Sequence, residues 1–222
     1  MKNVLDRYPM MKPYVGDKYI PGGPKSLLLI GESHYLPEKS TQHLTPESWY
    51  SSDATTLSDK EQGWVNTAGI ISYWKPKNFA DKALSIYRNA FREINTYGPK
   101  YPDYKDVADE IVYYNFFQRP ALYRKSLVVS PKDADIAEQR FHEVVAQYKP
   151  AAIVFLSKLA FRWCKGQREL GIPVVATPHP GCAHWNRVCK QYEGKRGRDL
   201  LGDLVRQLWS SDAVNRSQAA DR

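Results

Sequence analysis

The sequence predicts an α/β domain in which helices cover both faces of a parallel sheet of four strands. Four runs, residues 26–31 (SLLLIG), 110–117 (EIVYYNFF), 151–157 (AAIVFLS) and 172–180 (IPVVATPHP), are near-continuously apolar rather than alternating, as strands buried on both faces are. Segments whose apolar residues recur at helical spacing lie between and after them. The 222 residues, 42% hydrophobic and 25% charged, are enough for one substantial core and so for one domain.

The elements follow in chain order. Residues 1–25 read as an N-terminal extension, 26–210 as the domain and 211–222 as a flexible polar tail. The first strand stops on Gly31, and Glu32, Ser33, His34 and Tyr35 then place four polar side chains in a row. Residues 36–77 mix Ser, Thr, Pro and aromatics and read as a loop-rich lid or binding segment. A helix is predicted over 78–97, striped by Ala80, Ala83, Leu84, Tyr87, Ala90 and Phe91. After the second strand, Ser130 and Pro131 open a helix over 133–147. A short helix over 158–167 links the third strand to the fourth, and a last helix over about 198–210 carries Leu200, Leu201, Leu204, Val205 and Leu208.

Composition narrows the partners. A net charge of +8 and a pI near 9.3 favour an anionic partner, nucleic acid before membrane. No apolar run approaches the roughly 20 residues of a membrane span. The polar N-terminus, broken by Pro9 and Pro13, is unlike a signal peptide, so a soluble cytoplasmic protein is expected. Cys164, Cys182 and Cys189 cannot all pair with one another and form no C-x-x-C, consistent with free thiols in a reducing compartment. The 13% aromatic content suits base stacking as well as core filling.

In such sheets ligands sit outside the carboxyl ends of the strands. Gly31–Tyr35, Asn115–Gln118, Ser157 and His179 all fall at those ends, so the polar features of four separate segments converge on one edge. A zinc site built from His179, Cys182, His184 and Cys189 fits no recurring ligand spacing, and no metal is expected. There is no G-x-S-x-G, and Ser33 and His34 point apart in extended backbone, which argues against serine-hydrolase chemistry.

The stretches LLLIGESHY, VYYNFFQ, AAIVFLS and VVATPHPGCAHWNR resemble, in order and spacing, the uracil-DNA glycosylase superfamily over about residues 26–208. The resemblance implies a three-layer α/β/α fold with a central four-stranded parallel sheet, and removal of uracil or a related deaminated base from single- or double-stranded DNA. It matches Gly31–Tyr35 to the water-activating motif, Tyr35 to a tyrosine that excludes the thymine methyl, and Asn115 to the residue that reads the base edge. It matches His179 to the histidine of the final motif and residues 181–187 to the loop that wedges into the duplex. Three positions depart from the pattern. Ser33 stands where the family has an Asp or Asn, His34 where it has a proline or similar residue, and Gly181 where it has a serine. Some branches carry an acid at the Glu32 position. Iron–sulfur branches need four cysteines, so neither a cluster nor any other cofactor is expected.

Cleaving an N-glycosidic bond requires a donor for the departing base and a polar group that holds water against the sugar carbon. His179 is the expected donor, with Glu32, Ser33 and His34 as candidates for the water. Trp64, Tyr73 and Trp74 are candidates to sandwich the flipped base. His184 or Trp185 would wedge into the opened step, and Arg187, Lys190, Lys195, Arg196 and Arg198 would meet phosphates. A monomer is expected. The alternatives are a glycosylase-fold protein that binds nucleic acid or a nucleobase without cleaving, given the missing acid at Ser33, and a hydrolase of free nucleosides or nucleotides.

Overall fold

The computed structural model describes residues 3–220, with side chains described through residue 210. The chain starts with helix α1 (Val4–Arg7) and the two-residue strand β1 (Tyr14–Val15), and then enters β2 (Leu27–Gly31). Helices α2 (Pro46–Ser51), α3 (Asp59–Trp64), α4 (Thr67–Trp74) and α5 (Ser85–Tyr97) lead to β3 (Ile111–Asn115). Then follow α6 (Pro131–Tyr148), β4 (Ala152–Phe155), α7 (Lys158–Trp163), β5 (Val174–Ala176) and α8 (Gly197–Ala220).

The sheet has five strands in the order β1-β3-β2-β4-β5, and it is mixed. The four expected strands are parallel neighbours, with Leu27 beside Ile111 and Ala152, and Gly31 beside Asn115. The fifth corrects the expected four-stranded parallel sheet, because β1 pairs antiparallel on the outer edge of β3. Two residues are too few to carry any periodicity, so nothing in the pattern announces this strand.

Alternation along the strands explains two cores. Leu27, Leu29, Ile111, Tyr113, Ala152 and Val154 face one side, against Ile71 of α4, Tyr87, Phe91 and Ile94 of α5, and Leu201, Leu204 and Val205 of α8. Leu28, Ile30, Val112, Tyr114, Ile153 and Phe155 face the other, against Ala137, Phe141 and Val144 of α6 and Ala160 of α7. The four apolar side chains of β2 are fully buried, worth roughly 1.5–3 kcal/mol each.

Residues 36–77 hold three helices rather than open loop, and each has a cap. Thr45 accepts from Ser48 N ahead of Pro46, Ser58 and Glu61 form a capping box, and Asn66 accepts from Gly69 N. Trp49 and Tyr50 of α2, and Val65 just after α3, join Val4, Tyr8, Met11, Leu36 and Leu57 in a third core. Tyr8 stacks on Trp49 at 4.1 Å with nearly parallel rings. Val4, Tyr8, Met11 and, in the second core, Tyr19 therefore tie the expected N-terminal extension into the domain.

Three other helices differ from expectation at their ends. The helix expected from residue 78 starts at Ser85, because Asn78 and Phe79 take left-handed φ values of 54° and 48° and Asp81 then caps Ala83. The helix expected over 158–167 stops at Trp163, where Glu138 takes the Lys165 and Gly166 N–H groups. Helix α8 continues to Ala220, past the expected end near residue 210. The side chains of the expected tail and its last two residues lie outside the described residues.

Candidate active site

Strand order reverses between β2 and β4, since the chain goes from β2 to β3 on one side and returns to β4 on the other. A crevice at such a reversal is where open α/β sheets bind ligands. Glu32, just past β2, and Ser157, just past β4, meet there. Ser157 Oγ donates to Glu32 Oε2 at 2.8 Å and accepts from Ala160 N at 3.3 Å as the N-cap of α7. The other carboxylate oxygen, Glu32 Oε1, accepts from Leu127 N at 3.3 Å. The carboxylate is thus held between two separate segments while its residue stays only half-buried.

Gly31 closes the floor. A Cβ here would overlap Asn115 Oδ1 and the Tyr113 hydroxyl, so only glycine lets the amide lie against the strand end. Asn115 is buried at 6% exposure, and its Oδ1 accepts from Tyr113 Oη at 3.4 Å. The buried Tyr113 packs on Tyr87 with ring centres 4.9 Å apart. Loss of solvation, aided by Tyr87, raises the Tyr113 pKa well above its ordinary value and keeps the phenol a neutral donor. The Asn115 side chain therefore has its oxygen engaged by protein, and no acceptor among the described residues bonds its Nδ2.

His179 sits in the turn after β5. Its Nδ1 accepts from Gly181 N at 3.0 Å, so in the neutral ring the proton is on Nε2. Surrounding protein strips enough water from this surface ring to lower its pKa, while the Glu32 charge acts in the opposite direction. The loop is fixed from behind, as Asn89 of α5 donates to Pro180 O at 2.8 Å and Cys182 N donates to His179 O at 2.9 Å. A Cβ on Gly181 would overlap Ser85 Oγ and crowd the His179 ring, which explains the glycine.

Tyr35 is 40% exposed, and partial desolvation followed by the Glu32 charge raises its pKa. Glu32, Tyr35, Asn115 and His179 thus share one neighbourhood, together with Ser157, Tyr113 and Leu127, to which sequence reasoning assigned no role. Ser157 was visible as a polar residue at a strand end. The backbone donor of Leu127 leaves no trace in sequence.

His34 is placed differently. Its ring is buried, with Nε2 3.0 Å from Thr67 Oγ1, so it holds α4 instead of orienting water. Burial lowers its pKa to about 4, against a hydrogen bond to the Trp64 backbone that acts to raise it. A histidine with a depressed folded pKa leaves stability intact above its unfolded value near 6.5 and removes it as pH falls toward 4. Between pH 7 and pH 5 this one group should remove about 2 kcal/mol. Urea unfolding of wild type and His34→Gln at both pH values checks this, since the variant should lose about 2 kcal/mol less over the interval. Equal losses would contradict it. Ser33 is half-buried and has no side-chain hydrogen bond among the described residues.

The expected DNA-facing residues separate into two groups. His184 and Arg187 are exposed on the loop after His179, as is Val188 at 68%. Trp185 is 2% exposed and packs in the core under that loop, so it is no wedge. Lys195 pairs with Asp203 at 2.7 Å and Arg196 with Asp199 at 2.7 Å, and these carboxylates neutralise charge expected to meet phosphates. Arg198 is half-buried near Glu93. Of the candidate stacking rings, Tyr73 and Trp74 lie at the end of α4 away from Thr67, beside Lys75, whose partner Asp109 precedes β3. Trp64 instead meets Tyr123 edge to face at 5.7 Å.

Among the described residues no group of three or more His, Cys, Asp or Glu side chains could hold a metal ion, and no helix is long and apolar enough to cross a membrane. No protein-family model matches the chain, and no curated protein sequence matches it.

Proposed function

We propose that this protein is a DNA-base glycosylase of the uracil-DNA glycosylase type, acting on uracil or another deaminated base, with the parallel part of its sheet as the family's three-layer core. The observation that carries the reading is the grouping of Glu32, Asn115 and His179 at the reversal of one sheet, each held by protein in a defined orientation. His179 offers Nε2–H to the oxygen of the departing base, where negative charge develops. Neutrality suits this role, because the ring already carries the Nε2–H it donates and need not first take up a second proton. Asn115 offers Nδ2–H to a carbonyl on the base edge, which a deaminated base has and its amino-bearing parent lacks. Glu32, oriented by Ser157, orients water toward the sugar carbon in place of the acid missing at Ser33.

A binder that does not cleave is the second reading. It is favoured by one observation, that both Glu32 oxygens already accept protein hydrogen bonds. Alkali cleavage of labelled oligonucleotides carrying uracil, hypoxanthine or xanthine separates the two. Strand breaks that require a deaminated base and fall at least about 10-fold in Glu32→Gln support the enzyme. Salt-sensitive binding without breaks at high protein concentration leaves the binder.

A further inference from the structure

Residues 121–128 frame the candidate site on the side opposite His179, and their surface is unusual for a loop. Ala121 N donates to His34 O at 2.8 Å, Tyr35 bridges Ala121, and Leu127 N reaches Glu32, so both ends are tied to the segment that carries Glu32. Between the ties, residues 122–126 are all exposed. Leu122 (43%), Tyr123 (36%) and Val128 (84%) put three large apolar side chains in water within seven residues, a concentration that marks contact surfaces. Arg124 and Lys125 add two cations without a salt bridge among the described residues.

Tyr123 stands at the corner of a turn closed by Lys125 N to Leu122 O at 2.9 Å. Arg124, next in the turn, takes φ 61°, a left-handed conformation that glycine or asparagine adopts with less strain. Trp64 braces the Tyr123 ring, and the Arg124 guanidinium lies over it at 5.0 Å. A half-exposed ring braced from one side, a cation over it and a second cation beside it are what a single strand needs, since every base has a face to stack and every linkage a negative charge. Paired bases present no free face.

We propose that Tyr123, braced by Trp64, is a stacking platform for an unpaired nucleobase flanking the candidate site, and that the protein therefore takes its DNA single-stranded. This rests on the nucleic-acid reading above. Arg124 swings off the ring to meet the neighbouring phosphate as the base arrives.

Fluorescence anisotropy at one salt concentration tests it with three labelled ligands: a thymidine oligonucleotide, a strand of equal length made of abasic spacers, and a duplex. Wild type should bind the thymidine strand more tightly than the other two. Tyr123→Ala should weaken that binding about 10-fold and leave the spacer strand and duplex unchanged, while Tyr123→Phe keeps wild-type affinity. Matching thermal unfolding of the three proteins shows the loop's anchors intact. If Tyr123→Ala equals wild type on a strand that wild type binds, or loses affinity equally for all three ligands, the platform is wrong and the nucleic-acid reading survives. If wild type binds none of the three, both fall.

Discussion

His179→Gln should release base at least about 100-fold more slowly than wild type while binding the same oligonucleotide to within about 2-fold, the size of loss seen when one preorganised donor to a developing anion is removed. Glutamine can still place an N–H near the base, but it cannot be held as the imidazole is held, with Nδ1 fixed by Gly181 N and the loop fixed by Asn89. The pH dependence gives an independent check. The working form is the neutral ring, and its pKa lies below the ordinary histidine value because desolvation outweighs the Glu32 charge. Activity should therefore persist as pH falls through about 6.5, where a free histidine is half protonated, and decline only below it. Base release measured from pH 8 to pH 5 decides this, and a decline centred at or above the free-histidine value would contradict the assignment. Gly181→Ala should act in the same direction without touching the ring chemically, because its Cβ would press on Ser85 and the imidazole.

The parts of the fold legible in sequence are those that physics forces to be repetitive. A parallel strand covered on both faces has to be mostly apolar, and the runs containing β2 to β5 are, so their carboxyl ends and the convergence of Glu32, Asn115, Ser157 and His179 could be read directly. What escaped was short or decided by distant contacts. β1 is two residues long, and α2 to α4 are six to eight, with Trp49 and Tyr50 of α2 spent on a small separate core and Ile71 of α4 on the main one. Their start signals, Thr45–Pro46, Ser58 with Glu61, and Asn66, were nonetheless present in the chain. His34 and Trp185 lie within site motifs yet point into protein, and neighbouring residues alone do not say which way a loop side chain turns. The pairing of Arg196 with Asp199 is a matter of helical spacing, so that loss of free charge was readable; the Lys195–Asp203 pair, eight residues apart, was less so.

Asp133→Ala should destabilise the protein by about 3–5 kcal/mol, the range for stranding a buried charge. Asp133 is fully buried. It accepts from Arg119 Nε at 2.9 Å and Nη2 at 2.7 Å, from Tyr50 Oη at 3.0 Å, and from Ser130 N and Oγ at 2.9 and 2.8 Å. Arg119 also donates to His43 O and Val128 O, so one ion pair ties α2, the segment before it, the start of α6 and the loop between β3 and α6. Burial acts to raise the Asp133 pKa, but the bonds from Arg119 and Ser130 outweigh it and hold the carboxyl below its ordinary value. A depressed carboxylate contributes stability above its unfolded pKa and loses it as pH falls through the folded one, so the network should fail in acid. Removing both charges tests whether the cost comes from stranding Arg119. Arg119→Met with Asp133→Leu should cost less than Asp133→Ala alone in urea unfolding at pH 7. A double variant as unstable as the single would instead assign the cost to the capping and tyrosine bonds. The consequence for the site follows from the same loop. Leu127 N fixes one oxygen of Glu32, so the fraction of protein that stays folded without the Arg119 anchor should hold that carboxylate less well, and base release per folded molecule should fall.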